Sequence, residues 1–203
     1  MTLPALFFAI IVGFNHAFEA DHVLAVGNLA NKRNSFSSAM KDGLFWGLGH
    51  TFMILVVGCV IILAKLTLNI TSFEYLEIIV GITLIALGIY RLLKVNQHHD
   101  HKTDVTGSGG RLAFLIGSIH GLAGSGAVVL IAMSEINSSS LSMFYMLLFG
   151  IGSILGMMLV AALFKIPLTA KLGIGPKIQQ GFLWLSAILC IAYGVYMIFK
   201  FMG

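Results

Sequence analysis

The sequence predicts an all-α integral membrane protein, with six transmembrane helices arranged as two inverted three-helix repeats. Three observations support this prediction: 58% of the 203 residues are hydrophobic and only 10% are charged, the mean hydropathy is +0.97, and long apolar segments recur along the chain. A soluble domain of this size would need more polar surface. The segments are apolar on all faces, which favours helices over the alternating segments of about 10 residues found in membrane β-barrels.

A helix needs about 20 apolar residues to cross the hydrocarbon core of a bilayer. Six segments meet this requirement: 3–29, 43–64, 74–94, 111–134, 141–164 and 178–201. The N-terminus has neither a positive n-region nor a small-residue cleavage site, so we expect the first segment to be a span and not a removable signal peptide. Glycines within the segments are typical of closely packed membrane helices.

Lysine and arginine flank the predicted spans unequally. Ten of them lie in the connections after the first, third and fifth spans, whereas the opposite side holds only Lys65 and Lys200. Positive residues favour the cytoplasmic side, so we expect those connections in the cytoplasm and both termini outside. The basic residues form no block, and nothing indicates a nucleic-acid partner.

The two halves of the chain match at a nearly constant offset. The matched stretches, one per span, are Gly13–His16 with Gly117–His120 (offset 104), Gly47–His50 with Gly150–Ser153 (103), and Gly88–Tyr90 with Gly194–Tyr196 (106). Three matches in order indicate duplication of a three-helix unit, with residues 1–94 as the first repeat and 111–203 as the second. A unit with an odd number of spans inserts its second copy upside down, as in many secondary transporters.

Residues 95–110, VNQHHDHKTDVTGSGG, connect the two halves. The segment is poor in apolar residues and ends in a Gly/Ser tract, so it predicts a flexible cytoplasmic linker. His98, His99 and His101 give it a composition suited to weak metal capture. The alternative is a solvated linker that happens to contain histidines.

Ionisable side chains crowd the first predicted span, where His16, Glu19, Asp21 and His22 lie within seven positions. A carboxylate at the centre of a span costs roughly 3 kcal/mol, so we expect protonation, pairing or a bound cation to offset it. At about 100° per residue, Asp21 points roughly opposite Glu19 on a regular helix. Either protein surrounds this span, or the helix is broken near 19–22 around a cavity, and we favour the break.

Two further histidines lie at the depth of His22. Each of the three lies nine residues from a polar residue on the predicted cytoplasmic side, which is Asn31 for His22, Lys41 for His50 and Arg111 for His120. This count places all three roughly 13 Å from that face. Imidazoles from three spans are therefore expected to converge, with His16 about 9 Å further out if its helix is regular. A lone histidine could instead make a hydrogen bond between helices, and Glu19 could orient an imidazole without binding metal.

Imidazole and carboxylate ligands without thiolate are typical of a borderline divalent transition metal. Nickel or cobalt fits this set, and zinc is not excluded. The candidate metal ligands are His16, Asp21, His22, His50, Glu19 and His120. The metal is expected to be a transported substrate, with no resident cofactor and no catalytic residue.

These residues resemble the motifs of the nickel/cobalt transporter (NiCoT) family. The stretch His16–His22 fits its HX4DH signature, Asn28 fits an Asn shortly after it, and Leu48–Thr51 fits a second motif, LGH followed by a hydroxyl residue. The short length and the stretch His120–Ala127 are similar to the small UreH-type branch, named for urease accessory proteins.

The resemblance implies transport of Ni²⁺ or Co²⁺ across the cytoplasmic membrane of a bacterium or archaeon, and a need for His16, Asp21 and His22. It also implies partners such as a cytoplasmic metallochaperone or urease maturation proteins. The acidic motifs that larger members carry in their second half are absent here, which leaves metal selectivity and direction open. Small residues in that region are expected to let a facing helix approach or move: Gly121, Gly124, Ser125 and Gly126.

The leading hypothesis is a divalent-metal permease, most simply for uptake, in which two inverted halves alternate access. The chain has no GxxxxGK[ST] motif, so coupling must come from the membrane potential, protons or a partner. One alternative is efflux by the same architecture. Another is an intramembrane zinc-dependent hydrolase with Glu19 as base. A thiol-redox carrier is disfavoured because Cys59 and Cys190 are not at equivalent repeat positions.

Overall fold

The computed structural model of the chain describes residues 3–30, 35–64, 71–95, 108–136, 138–168 and 174–202, and every regular element in these ranges is helical. The helices are α1 (Leu3–His16), α2 (Ala20–Ala30), α3 (Phe36–Ala64), α4 (Thr71–Val95), α5 (Ser108–Glu135), α6 (Ser139–Lys165) and α7 (Pro176–Met202). A short 3-10 helix, Ile166–Leu168, extends α6.

Within the described ranges, four helical stretches are long and apolar enough to cross a membrane: Phe36–Ala64, Tyr75–Leu93, Ser139–Leu168 and Pro176–Met202. Two shorter apolar stretches, Phe7–His16 and Gly110–Ala123, lie where the first and fourth spans are predicted. The all-helical membrane class is thus confirmed. Among the described residues four full-length spans are found where six are predicted: the first predicted span is interrupted, and the side chains of α5 after Ala123 lie outside the described residues.

Four of the predicted spans begin and end within three residues of the observed helices α4 to α7. The helix α3 begins seven residues before the predicted span 43–64, because its polar first turn is capped. The backbone N–H of Ser38 donates to Oγ of Ser35 at 3.1 Å, which satisfies one of the unpaired donors at a helix start. The helix α5 begins at Ser108, so part of the Gly/Ser tract assigned to the linker is helical.

The helices of the two halves pack against each other in matching pairs. Helix α1 packs on α6, and α5 packs on α3, which are the pairings of the first span with the fifth and of the fourth with the second. The remaining strong contacts, α3 with α6 and α4 with α7, join spans that the predicted repeat would make equivalent. The half-helix α2 packs mainly against α6 and α7.

Glycines let these helix backbones touch, and their contacts repeat between the halves. A methyl group at Gly13 would overlap the carbonyl of Phe149, and one at Gly117 would overlap the carbonyl of Trp46. The two contacts are related by the offset found in the sequence, because Gly117 lies 104 residues after Gly13 and Phe149 lies 103 residues after Trp46. The same relation holds for a second set of contacts, Gly152 on Ile10 and Gly49 on Phe114. Close approach of small residues is a principal source of helix association in membranes.

Buried polar groups tie α2 to α7. The side-chain amide of Asn28 donates to the carbonyls of Leu24 at 2.9 Å and Ser186 at 3.2 Å. The hydroxyl of Ser186, which donates to the carbonyl of Leu183 at 3.0 Å, also lies 3.4 Å from Oδ1 of Asn28. Both cysteines are free thiols, and the buried Cys190 donates its S–H to the carbonyl of Leu84.

Candidate metal centre

The first predicted span is interrupted between His16 and Ala20. The chain makes two tight turns there: the N–H of Phe18 donates to the carbonyl of Asn15 at 2.9 Å, and that of Glu19 to the carbonyl of His16 at 3.0 Å. These bonds satisfy backbone groups that the end of α1 would otherwise leave unpaired inside the membrane. The predicted interruption near 19–22 is therefore present, at 17–19.

The break brings three imidazoles together. The ring centroids of His16 and His22 lie 4.5 Å apart, those of His16 and His50 5.2 Å, and those of His22 and His50 5.1 Å. All three side chains are buried, and one nitrogen from each lies within 4.8 Å of the others. We call these three residues the imidazole trio. His16 ends α1, His22 lies in the first turns of α2, and His50 comes from the middle of α3.

Two carboxylates orient the histidines of the first span. The Nδ1 of His16 donates to Oε1 of Glu19 at 2.8 Å, and the Nδ1 of His22 donates to Oδ1 of Asp21 at 3.0 Å. A carboxylate that holds Nδ1 in this way leaves Nε2 as the basic, ligating nitrogen, as in carboxylate–histidine–metal arrangements.

The nitrogens of the trio that could bind a metal have no hydrogen-bond partner in the described part of the chain. Nε2 of His16, Nε2 of His22 and both ring nitrogens of His50 are buried without a hydrogen-bond partner there. A buried polar atom left unpaired costs about 1–3 kcal/mol, and such atoms are rare in native proteins. Several of them converging on one point are the arrangement that a bound metal ion satisfies.

His120 lies beside the trio without joining it. Its ring centroid is 5.6 Å from that of His22 and 4.8 Å from that of Trp46, and its Nδ1 donates to the carbonyl of Ile116 at 3.1 Å. Its Nε2 is also buried without a partner among the described residues. The rings of His50 and His120 thus each lie close to that of His22, at 5.1 and 5.6 Å between centroids.

A second group of possible ligands shares His22 with the trio. One ligand atom each from Glu19, Asp21 and His22 lies within 4.8 Å of the others. Glu19 is the exposed member of this group. All six candidate ligands predicted from the sequence thus lie in one region of the fold, as two groups around His22 with His120 alongside.

Glu77 is a residue near this region that the sequence analysis did not single out. It lies on α4, is half-buried, and its charge interacts with those of Asp21, His22 and Glu19. Glu77 was overlooked because it is only the fourth residue of the predicted span 74–94, where a carboxylate suggests a solvated helix end. Its position inside a predicted span was the signal that could have found it.

The other predicted residues are placed only in part. His98, His99 and His101 lie outside the described residues, as do the side chains at positions 124–126, although these belong to α5. Gly121 is described, and a methyl group there would overlap the backbone carbonyl of His50. The backbone of α3 thus lies directly against Gly121, and the role of this glycine in letting a facing helix approach or move stays a prediction.

Comparison with curated proteins found two relatives. The chain is 32% identical over 210 residues to the urease accessory protein UreH of Bacillus sp. (strain TB-90), covering 98% of this chain and 92% of that protein. It is 27% identical over 154 residues to a candidate nickel/cobalt efflux system, MJ1092, of Methanocaldococcus jannaschii, covering 71% of this chain and 68% of that protein. No family model and no solved structure matches the chain. Neither relative is named as an enzyme.

Proposed function

The chain belongs to the UreH-type branch of the nickel/cobalt transporter family, and from this premise we propose that it carries Ni²⁺, or Co²⁺ as a second substrate, across the cytoplasmic membrane. It is a multi-pass membrane protein and not an enzyme, so the hydrolase alternative is set aside. The transported ion is the substrate, and the proposal includes no resident cofactor.

The observation that carries the proposal is the imidazole trio. At least one ring nitrogen of each member is buried and unpartnered within the described chain, and one nitrogen of each lies within 4.8 Å of the others, close enough to bind one ion together. Neutral imidazole suits nickel, cobalt, zinc and copper, whereas magnesium and calcium prefer oxygen ligands. Three imidazole nitrogens, two of them on rings that also donate to a carboxylate, therefore favour a borderline transition metal. Three protein ligands also leave coordination positions for water, so the ion can be released.

Alternating access of two inverted three-helix halves is the transport mechanism we propose. The paired glycine contacts of the fold support this repeat, because the contacts of Gly13 and Gly49 recur at Gly117 and Gly152. The site itself is asymmetric: Ser153 occupies the repeat position of His50, and its hydroxyl donates to the carbonyl of Gly13 at 3.1 Å. The first half would thus bind the ion, while the second half supplies the surface that moves against it.

The membrane potential can drive such transport without ATP. A divalent cation entering down a potential of 100 mV gains about 4.6 kcal/mol, enough for substantial accumulation. We therefore propose uptake, with residues 95–110 in the cytoplasm and both termini outside. The name of the UreH relative ties it to urease, which suggests delivery of nickel to urease maturation proteins. The name of the second relative assigns that protein to efflux, so efflux is the second candidate direction.

Transport of metal into vesicles tests the proposal and its direction. The chain is reconstituted into liposomes with an imposed potential, inside negative, and Ni²⁺ inside is followed with a trapped metal-sensitive dye. We expect uptake by the wild-type chain, little uptake by His22→Ala, and slower uptake without the potential. Equal rates in the wild type, His22→Ala and empty liposomes would refute metal transport. Accumulation of Ni²⁺ inside the liposomes only when an imposed gradient drives protons out of them would instead indicate efflux.

A further inference from the structure

We propose that His120 is a ligand of a second ion position, in which it takes the place of His16 beside the other two members of the imidazole trio. This inference rests on the proposed transport function, because it names the next position on the same path. The trio lies on α1, α2 and α3 of the first half, whereas His120 lies on α5 of the second half. The exchange of ligands would therefore pass the ion from one half to a position that both halves share.

His120 has a ligand nitrogen that the trio does not use. Its side chain is 1% exposed, and its Nδ1 donates to the carbonyl of Ile116 at 3.1 Å. Because Nδ1 carries the proton, the lone pair is on Nε2, and Nε2 is buried without a hydrogen-bond partner in the described chain. Unpaired buried polar atoms are rare in native proteins, so this nitrogen indicates a ligand beside the trio.

The contact between α3 and α5 holds His120 next to the trio. A methyl group at Gly117 would overlap the carbonyl of Trp46, and one at Gly121 would overlap the carbonyl of His50. The residue that follows His120 therefore lies against the backbone of a trio member. The ring of His120 packs 4.8 Å from that of Trp46, between centroids. The indole N–H of Trp46 is also buried without a partner among the described residues, so it is available to a water bound to an ion at His120.

The spacing of the rings around His22 suits both positions. An ion bound by two imidazole nitrogens at about 2 Å each holds the ring centroids about 4.5–6.5 Å apart. The ring of His22 lies 4.5 Å from that of His16 and 5.6 Å from that of His120. His120 is not in either group of converging ligand atoms found among the described residues. A movement of α5 relative to α2 is therefore needed to complete the second position, as alternating access of the two halves requires.

His50 is suited to follow the ion because no hydrogen bond in the described chain fixes its ring. The rings of His16 and His22 each donate to a carboxylate, whereas both nitrogens of His50 are buried without a partner there. Such support by a carboxylate is worth about 10–100-fold in metal affinity, and His50 lacks it. Its ring can thus turn with the ion, which exchanges one imidazole for another without returning to bulk water.

Binding of Co²⁺ to the purified full-length chain in detergent tests the second position by a double-variant cycle, with affinities from competition with a chromophoric chelator. The variant His120→Asn keeps an N–H for the carbonyl of Ile116 but has no atom in place of Nε2. We expect it to lower Co²⁺ affinity by less than about tenfold in the wild-type chain and by at least about 100-fold in His16→Ala, because loss of a ligand exceeds loss of a supporting group. In His16→Ala the ion has to use the second position.

X-ray absorption at the cobalt edge counts the bound imidazoles and so separates a ligand from a packing residue. We expect three imidazoles in the wild type, three in His16→Ala and two in the double variant His16→Ala/His120→Asn. Ser118→Ala is the matched control on α5, because its hydroxyl donates only to the carbonyl of Phe114 on the same helix. Its effect on Co²⁺ affinity should be small and equal in both backgrounds.

Three results would overturn the inference: equal losses caused by His120→Asn in both backgrounds, two imidazoles in His16→Ala, or no measurable Co²⁺ binding by His16→Ala. Thermal unfolding without metal checks that each variant is folded. Failure of uptake in vesicles would refute transport without altering this binding cycle. A failed cycle would leave uptake by the wild-type chain unchanged, so the two proposals fail separately.

Discussion

His16 and His22 lie six residues apart in the sequence, yet their rings approach to 4.5 Å between centroids with an edge-on interplanar angle of 61°. On a regular helix, residues at this separation would be about 9 Å apart along the axis and roughly 120° apart around it. The turn at residues 17–19 removes both separations by ending α1 and restarting the helix at Ala20. The break is thus what allows one short segment to place two candidate ligands beside the same proposed ion.

Replacing His50 is expected to reduce metal binding far more than replacing its counterpart in the other half. His50→Ala removes one nitrogen of the imidazole trio, so we expect Ni²⁺ affinity to fall by at least about 100-fold, beyond the 10–100-fold typical of residues that only support a ligand. Ser153→Ala, at the repeat-equivalent position, removes a hydrogen bond to Gly13 and no possible ligand. Its Ni²⁺ affinity, measured for both variants by competition with a chromophoric chelator, should stay within about threefold of wild type. Comparable losses in both variants would contradict the assignment of binding to the first half.

Loss of His120 is expected to be milder than loss of any trio member. Its ring lies 5.6 Å from that of His22, and its Nδ1 donates to the carbonyl of Ile116. We therefore expect His120→Ala to lower Ni²⁺ affinity by less than about tenfold and to reduce the transport rate more than the affinity. The comparison needs both the equilibrium titration and the vesicle assay. An affinity loss as large as that of His22→Ala would instead make His120 a full ligand.

The sequence allowed the broken helix and most of the candidate site to be predicted, for identifiable reasons. Two carboxylates pointing in opposite directions within an apolar span cannot both be accommodated by a regular helix, which predicted a break. Counting residues from the cytoplasmic face predicted that His50 would lie at the depth of His22. These arguments depend on regular helix geometry, which holds for α3 and α5. They placed His16 about 9 Å away from the other imidazoles, because the geometry of the turn itself was not predictable.

The position of Glu77 beside the site and the pairing of the helices could not be predicted from residue spacing along the chain. Which face of α4 turns toward Asp21 depends on the packing of α4 against α2 and α7, and nothing in residues 74–94 specifies that packing. The glycine matches predicted that the halves are related. They did not predict that Gly13 would face the backbone of Phe149, a contact set by how α1 and α6 approach each other.

Two glycine substitutions should distinguish the stability lost by backbone overlap from the stability gained by higher helix propensity. Gly13→Ala places a methyl group against the carbonyl of Phe149, a backbone group that cannot rotate away, so we expect a loss of about 1–3 kcal/mol from overpacking. Gly181→Ala, on α7, meets nothing within 4 Å and should gain up to about 1 kcal/mol from helix propensity. Thermal unfolding of each variant in the same detergent measures the difference. A Gly13→Ala variant as stable as the wild type would show that α1 and α6 do not pack this closely.

The link between α2 and α7 should appear as a coupling between Asn28 and Ser186. Asn28→Ala removes a buried amide that donates to two carbonyls and whose oxygen lies 3.4 Å from the Ser186 hydroxyl, whereas Ser186→Ala leaves the carbonyl of Ser186 in place. We therefore expect Asn28→Ala to cost more, about 1–2 kcal/mol, and Ser186→Ala less. The 3.4 Å separation between the two side chains predicts a coupling energy near 0.6 kcal/mol, the average for such bonds in membranes. Unfolding of the two single variants and the double variant gives this coupling directly. Additive losses would mean that the side chains do not interact, and that α2 is held against α7 by the Asn28–carbonyl bond and apolar packing alone.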